Sequence, residues 1–446
     1  MARRFKTNQK RGKQKTTHPL TANPDLRPRT TCPLPPVAEI DRRLRAVLTP
    51  SLFAPRRLAA GTVKLRDRLL TLPVMAVLMV SLVWRQVPSL SEALRVVARE
   101  GLWEFAPFVV SRQALSQRLR ALPAQLFAQL YEEALGRLRA VRPPAPVLPG
   151  SLPARFTALW AADGSTLEAL RRKLKELRES PTPLGGKMLA VVDLWTRRPQ
   201  QTWYTAQPRA NDKTFCAQLS AALPRGGLVV VDLGWFSFPF FDALTEADKY
   251  FVTRLREKTA SRLVTVLGSS AHWRDEVIEL GVYRANPCRH PVRRVSVLWG
   301  TTWYHYLTNV LDPQLLSARE VCELYRRRWR IEEAFLLTKR LLGLAYLWVG
   351  DRNGVEIQLY ATWLFYAVLT DLCDQVAEAL DQPLEKISVE MVFRSLYHFA
   401  RAIDLGENPE LVPFLAHHAK LFGLVKADRK RHKERRHQDL AIWSTS

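Results

Sequence analysis

The segment from Tyr325 to Lys339, YRRRWRIEEAFLLTK, carries side chains that could act together on one substrate. On a helix that turns 100° per residue, Tyr325, Arg328, Glu332 and Lys339 fall within an arc of about 60°. A carboxylate can bind a metal ion, the two cations can bind phosphate oxygens, and a phenol donates one hydrogen bond. The spacing therefore predicts a polar stripe suited to phosphate chemistry.

Two apolar flanks border this stripe in the helical projection. They comprise Leu324, Ile331, Phe335 and Leu342 on one side, and Trp329 and Leu336 on the other. We therefore expect the stripe to face the protein body. A carboxylate there needs a cation, a metal ion or strong hydrogen bonds, because an unpaired buried charge is costly. An ordinary ion pair between Arg328 and Glu332, four residues apart, is the alternative explanation.

Two aspartates follow apolar runs earlier in the chain. The run 156–163 predicts a strand that ends at Asp163, and LVVVD predicts a buried strand that ends at Asp232. Acids at strand ends near a topological switch point are well placed to meet. With Glu332 they would form three converging carboxylates, which suit Mg²⁺ or Mn²⁺, and two such ions can promote phosphodiester cleavage. A turn or helix-cap role is the alternative for each aspartate alone.

The elements that must position these residues follow a mixed α/β pattern after residue 150. Strands are predicted over 156–163, 187–195, 201–207, 228–232 and 250–255, with a helix near 213–223. Three strands in a meander, followed by strands that a helix separates, predict a mixed α/β sheet. A capping box of Ser317 and Glu320 predicts the start of the helix that carries Glu332, and Gly343 its end.

The rest of the chain divides by composition and pattern. We expect a disordered basic arm (1–35), a helical region that binds DNA ends (36–150), the first part of a catalytic core (151–255), a β-rich insertion (256–312), the rest of the core (313–350) and a helical C-terminal region with a basic tail at 426–437 (351–446). A helix that begins near Ser111 would present Arg118 to a DNA groove, and plain helix packing is the alternative.

Composition narrows the classes of protein. The 446 residues include 67 Lys and Arg against 42 Asp and Glu, a net charge of +25, so nucleic acid is the expected partner. Five cysteines without a CxxC pair argue against a disulfide scaffold and a zinc finger. The apolar stretch 69–84 is shorter than the roughly 20 residues of a membrane span and predicts a buried helix. Residues 1–30 lack the apolar core of a signal peptide, so we expect a cytoplasmic protein.

These motifs resemble bacterial DDE insertion-sequence transposases of the insertion-sequence-four-like family. Tyr325-x2-Arg328-x3-Glu332-x6-Lys339 matches the YREK signature of that family in residue type and spacing. Asp163 in DGST and Asp232 in DLGW stand where the family has its catalytic aspartates, although the family more often has a polar residue after the second one.

The resemblance implies an RNase H-like mixed sheet with a β-rich insertion, flanked by helical regions. It implies that Asp163, Asp232 and Glu332 bind two Mg²⁺ or Mn²⁺ ions. The enzyme would cleave DNA at the terminal inverted repeats of an element, and the freed 3′-hydroxyl would attack target DNA. Tyr325, Arg328 and Lys339 would then hold phosphates near the cut.

The resemblance also implies a tryptophan that stacks a flipped base, with Trp303 as the first candidate and Trp299 as the second. The expected assembly is a homodimer on DNA, associated with the nucleoid and without membrane contact. Two alternatives remain at this point: an RNase H-like nuclease without strand transfer, and a catalytically decayed DNA-binding protein derived from a transposase.

Overall fold

A computed structural model describes residues 34–53, 69–103, 105–142, 151–168, 184–344, 347–349, 351–427 and 442–443. The predicted basic arm lies almost entirely outside the described residues. So do residues 143–150, at the end of the predicted DNA-binding region, and residues 428–437 of the predicted basic tail.

A mixed sheet of nine strands runs through the described part of the chain, in the order β3-β2-β1-β4-β5-β9-β8-β7-β6. The strands are β1 Leu159–Glu168, β2 Leu184–Asp193, β3 Pro199–Thr205, β4 Leu228–Val231, β5 Tyr250–Arg254, β6 Ser261–Ser269, β7 Trp273–Leu280, β8 Val292–Trp299 and β9 Thr302–Thr308. Strands β1 to β3 form an antiparallel meander, whereas β4 and β5 run parallel to β1. This arrangement of the first five strands is RNase H-like and confirms the predicted mixed α/β fold. Strands β6 to β9 extend the same sheet, because β9 pairs with β5.

Both faces of the first five strands are covered by apolar cores. Alternate residues of a strand point to opposite faces, so Ala161 packs into one core and Trp160 and Ala162 into the other. All four residues of β4 are buried, as expected for a valine-rich strand in the middle of a covered sheet. By the same alternation, Asp163 and Asp232 share the face of Ala161.

Thirteen α-helices surround the sheet in the described residues. They are α1 Ala38–Val47, α2 Leu72–Trp84, α3 Leu90–Glu100, α4 Arg112–Ala121, α5 Ala124–Val141, α6 Cys216–Ala222, α7 Phe238–Glu246, α8 Ala318–Arg327, α9 Trp329–Leu336, α10 Arg352–Ala379, α11 Val389–Asp404, α12 Leu411–His417 and α13 Ala419–Phe422. The long helix α10 packs against α2 and α5, so the helices before and after the sheet share one core.

The apolar stretch 69–84 forms the buried helix that its length predicts. Thr71 caps α2 by accepting a hydrogen bond from the Val74 backbone N–H, and nearly every residue of the helix is buried. Among the described helices, none combines the length and the apolar character needed to cross a bilayer.

Two predicted element boundaries are wrong. Strand β1 continues five residues beyond Asp163 to Glu168, since Gly164, Ser165 and Thr166 pair with β2 instead of turning. The helix predicted from Ser317 to Gly343 is interrupted: α8 ends before Arg328, α9 follows, and a π-helical turn, Leu337–Leu341, closes the segment. Asp163 therefore lies in the middle of its strand.

The start of α8 is anchored to the sheet by ion pairs. The predicted capping box of Ser317 and Glu320 is confirmed, and Arg155 binds the Glu320 carboxylate at 2.6 Å. Arg293 of β8 is fully buried, binds Asp275 of β7 through two hydrogen bonds, and donates a third to the Leu316 carbonyl at 2.6 Å. These contacts fix where the helix that carries Glu332 leaves the sheet.

Candidate active site

The parallel pairing of β1 and β4 brings Asp163, in the middle of β1, close to Asp232, which directly follows β4. Ala162 of β1 stands opposite Val231 of β4, so the next residue of each chain segment is an aspartate on the same face. Asp163 Oδ1 accepts a hydrogen bond from the Gly164 backbone N–H at 2.8 Å, and Asp232 Oδ1 accepts one from Gly234 at 2.8 Å. Each carboxylate is thus oriented by its own backbone.

A third carboxylate, Asp212, joins them. One oxygen of each of Asp163, Asp212 and Asp232 lies within 4.8 Å of the other two. Asp212 begins a short 3₁₀ turn after β3 and is 9% exposed. Lys187 of β2 binds it at 2.6 Å.

Sequence reasoning missed Asp212 because no strand precedes it directly. Its polar neighbour Asn211 and the helix predicted near 213–223 make it look like part of a helix start. The sequence feature that could have pointed to Asp212 is an acidic residue directly before the predicted helix, between the two predicted strands 201–207 and 228–232. Its position on the fold depends on the path of the loop after β3, which the sequence pattern does not give.

Helices α8 and α9 bring the polar stripe onto the same face of the sheet. Arg328 is 8% exposed; its Nη1 donates to Asp163 Oδ2 at 2.8 Å and its Nη2 to Glu332 Oε1 at 3.0 Å. Glu332 is not part of the close group of three aspartates, and 38% of its side chain is exposed. The ion pair between Arg328 and Glu332, the alternative explanation of the stripe, is present, but Arg328 also binds Asp163 and so connects the two carboxylates.

The other two residues of the stripe also face the sheet. Lys339 Nζ donates to Ser165 Oγ at 3.1 Å, two residues along β1 from Asp163. The Tyr325 ring packs against Tyr306 of β9, with ring centroids 5.1 Å apart, and burial raises the Tyr325 pKa. The stripe therefore runs from the end of β1 to the antiparallel extension of the sheet.

Burial and crowding of like charges set the electrostatics. Burial, and next the charge of Asp232, raise the pKa of Asp163 to about 7, although Arg328 opposes the shift. Burial also raises the Asp212 pKa, with Lys187 acting against it and Asp232 in its favour. A bound cation would relieve this strain. The donor set, carboxylate oxygens only, fits a hard divalent ion such as Mg²⁺ or Mn²⁺.

One apolar flank of the stripe is not buried, which corrects the prediction. Ile331 and Phe335 lie in the core, but Trp329 is 66% exposed and Leu336 48% exposed. Trp329 borders an open cavity of about 430 Å³ beside the stripe. Its lining is aromatic and basic: Arg254, Trp299, Gly300, Tyr304, Tyr306, Tyr325, Arg326 and Trp329.

The two tryptophan candidates differ in position. Trp299 lines this cavity, and the Arg326 guanidinium lies 5.4 Å from its ring centroid. Trp303 is not among the lining residues, and its ring lies beneath Arg274 of β7, at 5.3 Å. Arg118 is half-buried on α4, a helix that packs against α3 and α10.

Comparison with known proteins finds a family to which part of the chain is similar. Residues 180–368 match the sequence model of the family described as Transposase DDE domain. A probable transposase for insertion sequence element IS5377 of Geobacillus stearothermophilus is 25% identical over 203 residues, 44% of this chain and 51% of that protein. Putative transposase y4zB of Sinorhizobium fredii is 25% identical over 278 residues, 52% of this chain and 74% of that protein.

The structure is also similar to a solved structure of the piggyBac transposase synaptic complex with hairpin DNA. The superposition covers 90% of this chain and 89% of that chain. The TM-score of this match is 0.43, at 10% sequence identity. The chain spans about half the length of the relative from Geobacillus stearothermophilus. Residues 180–368, which hold Asp212, Asp232 and Glu332, are thus similar to the DDE domain of insertion-sequence transposases.

Proposed function

We propose that this protein is a cut-and-paste DDE transposase of the YREK type, which cleaves DNA at element ends and joins them to target DNA. The observation that carries the proposal is the convergence of Asp163 and Asp232 on one sheet face, under a helix segment that holds Tyr325, Arg328, Glu332 and Lys339. The match to a transposase DDE domain supports it.

Asp163, Asp232 and Glu332 are the proposed ligands of two divalent ions, Mg²⁺ or Mn²⁺. Such ions lower the pKa of a nucleophilic water or hydroxyl and stabilise the leaving oxygen of a phosphodiester. Asp163 and Asp232 are held by backbone N–H groups, whereas Glu332 reaches the site from a helix. The sheet would therefore fix the position of the ligands and the helix would complete the set.

The cations of the stripe are the proposed phosphate ligands. Arg328 and Lys339 contact β1 at Asp163 and Ser165, so both lie beside the proposed cleavage point. A guanidinium binds a phosphate through two parallel hydrogen bonds and an ammonium binds it as a point charge, while the Tyr325 hydroxyl adds one donor. These groups would orient the scissile phosphate and neutralise its charge.

The cavity beside Tyr325 is the proposed place for a base that leaves the duplex. Its aromatic walls and the two arginines, Arg254 and Arg326, suit a stacked base next to a phosphate backbone. Trp299 lines it and becomes the first candidate, ahead of Trp303. The exposed ring of Trp329 and the half-buried ring of Trp299 give the surface an apolar face that DNA would cover.

DNA is the proposed partner, and a homodimer that holds both ends is the proposed assembly. The net charge of +25 supports a polyanionic ligand. The helical region 36–150, including Arg118, is proposed to bind the inverted repeat. Acting on chromosomal DNA would place the protein in the cytoplasm, at the nucleoid.

An end-cleavage assay tests the proposal. Full-length protein is mixed with a labelled duplex that carries the inverted repeat flanking its gene, with Mg²⁺ or with EDTA, and with a plasmid target. We expect metal-dependent cutting at the repeat boundary and joined products, both lost in Asp232→Ala. The matched control is Asp248→Asn, because Asp248 is an exposed acid paired with Arg225 on the surface.

The alternatives give different products. Cutting without joined products would indicate a nuclease, and repeat binding without cutting under any condition would indicate a decayed regulator. Cutting that persists in Asp232→Ala would remove the catalytic role from the sheet carboxylates.

A further inference from the structure

The proposed ligand set leaves Asp212 without a role, although one of its oxygens lies within 4.8 Å of an oxygen of Asp163 and of Asp232. We propose that Asp212 is a metal ligand, so that three sheet-side carboxylates bind the first divalent ion before Glu332 takes part. The inference rests on the proposed function, since it concerns the metal site of that reaction.

Two glycines make room for this carboxylate. A Cβ on Gly164 would lie 2.1 Å from Asp212 Oδ1 and 2.5 Å from the Lys187 Cε atom. A Cβ on Gly234 would lie 2.7 Å from Asp212 Oδ2 and 2.9 Å from Asp232 Oδ1. A larger residue at position 164 or 234 would push Asp212 out of the group. The absence of a side chain at Gly164 and Gly234 therefore leaves space for the Asp212 carboxylate beside those of Asp163 and Asp232.

A local structural role does not account for Asp212. The 3₁₀ turn that it begins is capped by Asn211, whose Oδ1 accepts a hydrogen bond from the Lys213 backbone N–H at 3.2 Å. Lys187 holds Asp212 at 2.6 Å and is itself anchored to the Ala210 carbonyl at 3.0 Å. Lys187 therefore positions the carboxylate toward Asp163 and Asp232 instead of drawing it away to solvent.

The charge balance favours a divalent cation at this place. The site has four carboxyl groups, those of Asp163, Asp212, Asp232 and Glu332, and the cations ion-paired with them in the described residues are Lys187 and Arg328. When all four carboxyl groups are ionised, two negative charges are left over, which one divalent ion balances. One oxygen of each of the three aspartates lies within 4.8 Å of the other two, whereas Glu332 lies outside this group, so the aspartates are the group placed to receive that ion.

Mn²⁺ binding by the full-length protein, followed by calorimetry and by loss of the free Mn²⁺ signal in electron paramagnetic resonance, tests the inference without any activity. We expect Asp212→Asn to weaken the tighter Mn²⁺ site at least about tenfold, and Asp232→Asn to do the same. Glu332→Gln should leave that site within about twofold and weaken only the second ion.

A second variant removes the site without removing a ligand. Gly164→Ala should displace Asp212 through its new methyl group and weaken the tighter Mn²⁺ site to a similar extent. Gly136→Ala is the matched control, because a Cβ there meets nothing within 4 Å. This pair also keeps the test valid if Asp212→Asn fails to fold.

The outcomes separate the two proposals. Normal Mn²⁺ affinity in both Asp212→Asn and Gly164→Ala, with loss in Asp232→Asn, overturns the role of Asp212 and leaves the transposase proposal intact. Normal affinity in Asp232→Asn as well overturns the metal site of the proposed function itself.

Discussion

The sheet side and the helix side of the site hold their carboxylates by different means. Asp163 and Asp232 each accept a backbone hydrogen bond, and the Asp163 side chain is 13% exposed. Glu332 is 38% exposed and its described partner is the side chain of Arg328. Its helix is interrupted at Arg328 and ends in a π-helical turn, a feature common at functional sites.

The difference separates a fixed part of the site from an adjustable one. The backbone N–H groups that hold these carboxylates belong to β1 and to the 3₁₀ turn directly after β4, so both carboxylates are preorganised. Their like charges repel each other. A glutamate on an interrupted helix can change its partner by side-chain rotation. Arg328, which bridges the two sides, is the group whose movement would couple them.

The largest expected effect comes from removing the helix-side carboxylate. Glu332→Ala should lower end cleavage by about 10³-fold or more, since a metal ligand supplies several kcal/mol of charge stabilisation in the transition state. Binding of the inverted repeat should change by less than about threefold. Cleavage rates and gel-shift affinities measure both, and Asp248→Asn serves as the control. Cleavage at the wild-type rate would remove Glu332 from the site.

The next effect belongs to the sheet side and appears as a pH dependence of stability. The pKa of Asp163 is raised to about 7 in the folded protein, so the folded state binds the proton more tightly than the unfolded state. Stability should fall as pH rises from about 4 through 7, by up to roughly 4 kcal/mol.

Melting temperatures in EDTA at pH 5 and pH 8 measure this dependence. Asp163→Asn should flatten it, whereas Glu332→Gln should leave it nearly unchanged. The comparison uses the change in melting temperature between the two pH values. A constant loss of stability from the missing ion pair with Arg328 therefore cancels. Equal slopes in wild type and Asp163→Asn would contradict the strained state of the sheet carboxylates.

The sheet side was only partly predictable from sequence, for a physical reason. Apolar runs predict strands, and parallel strands bring their following residues to one edge, so Asp163 and Asp232 could be paired without a structure. The extent of β1 could not, because Gly164, Ser165 and Thr166 favour a turn in isolation and become a strand only through pairing with β2. Asp212 depends on a loop path, which no periodicity encodes.

The helix side was predictable in register but not in exposure. The 100° rule placed Arg328 and Lys339 on one helix face directed to the protein body, and in the structure both contact β1, at Asp163 and Ser165. It also assigned Trp329 and Leu336 to a buried flank, whereas both are exposed. The sequence pattern of a helix gives the orientation of its side chains relative to one another. Which apolar flank is buried depends on the other elements that pack against the helix.

A smaller effect distinguishes the two tryptophans. Trp299→Ala should weaken binding of a duplex with an unpaired base at the element end by about 1–3 kcal/mol, as expected for one lost stacking interaction. Trp303→Ala should have a smaller effect, because Trp303 lies outside the cavity next to Tyr325. 2-Aminopurine fluorescence at the unpaired position measures stacking directly. The reverse ranking would move the proposed base site from the cavity to the Arg274 side.

The smallest effect concerns the group that joins the two sides. Arg328→Ala should reduce the slope of log affinity against log salt by about one unit, the value for one lost phosphate contact. Arg328→Lys should keep the slope, since it keeps the charge, but lose the fork that binds Asp163 and Glu332 together. Arg401→Ala, in an exposed pair with Asp404, is the control. Fluorescence anisotropy of the labelled repeat between about 50 and 200 mM salt measures the slopes. An unchanged slope in Arg328→Ala would show that the guanidinium does not bind a DNA phosphate. Its role would then be limited to the ion pairs with Asp163 and Glu332, which connect the two sides of the site.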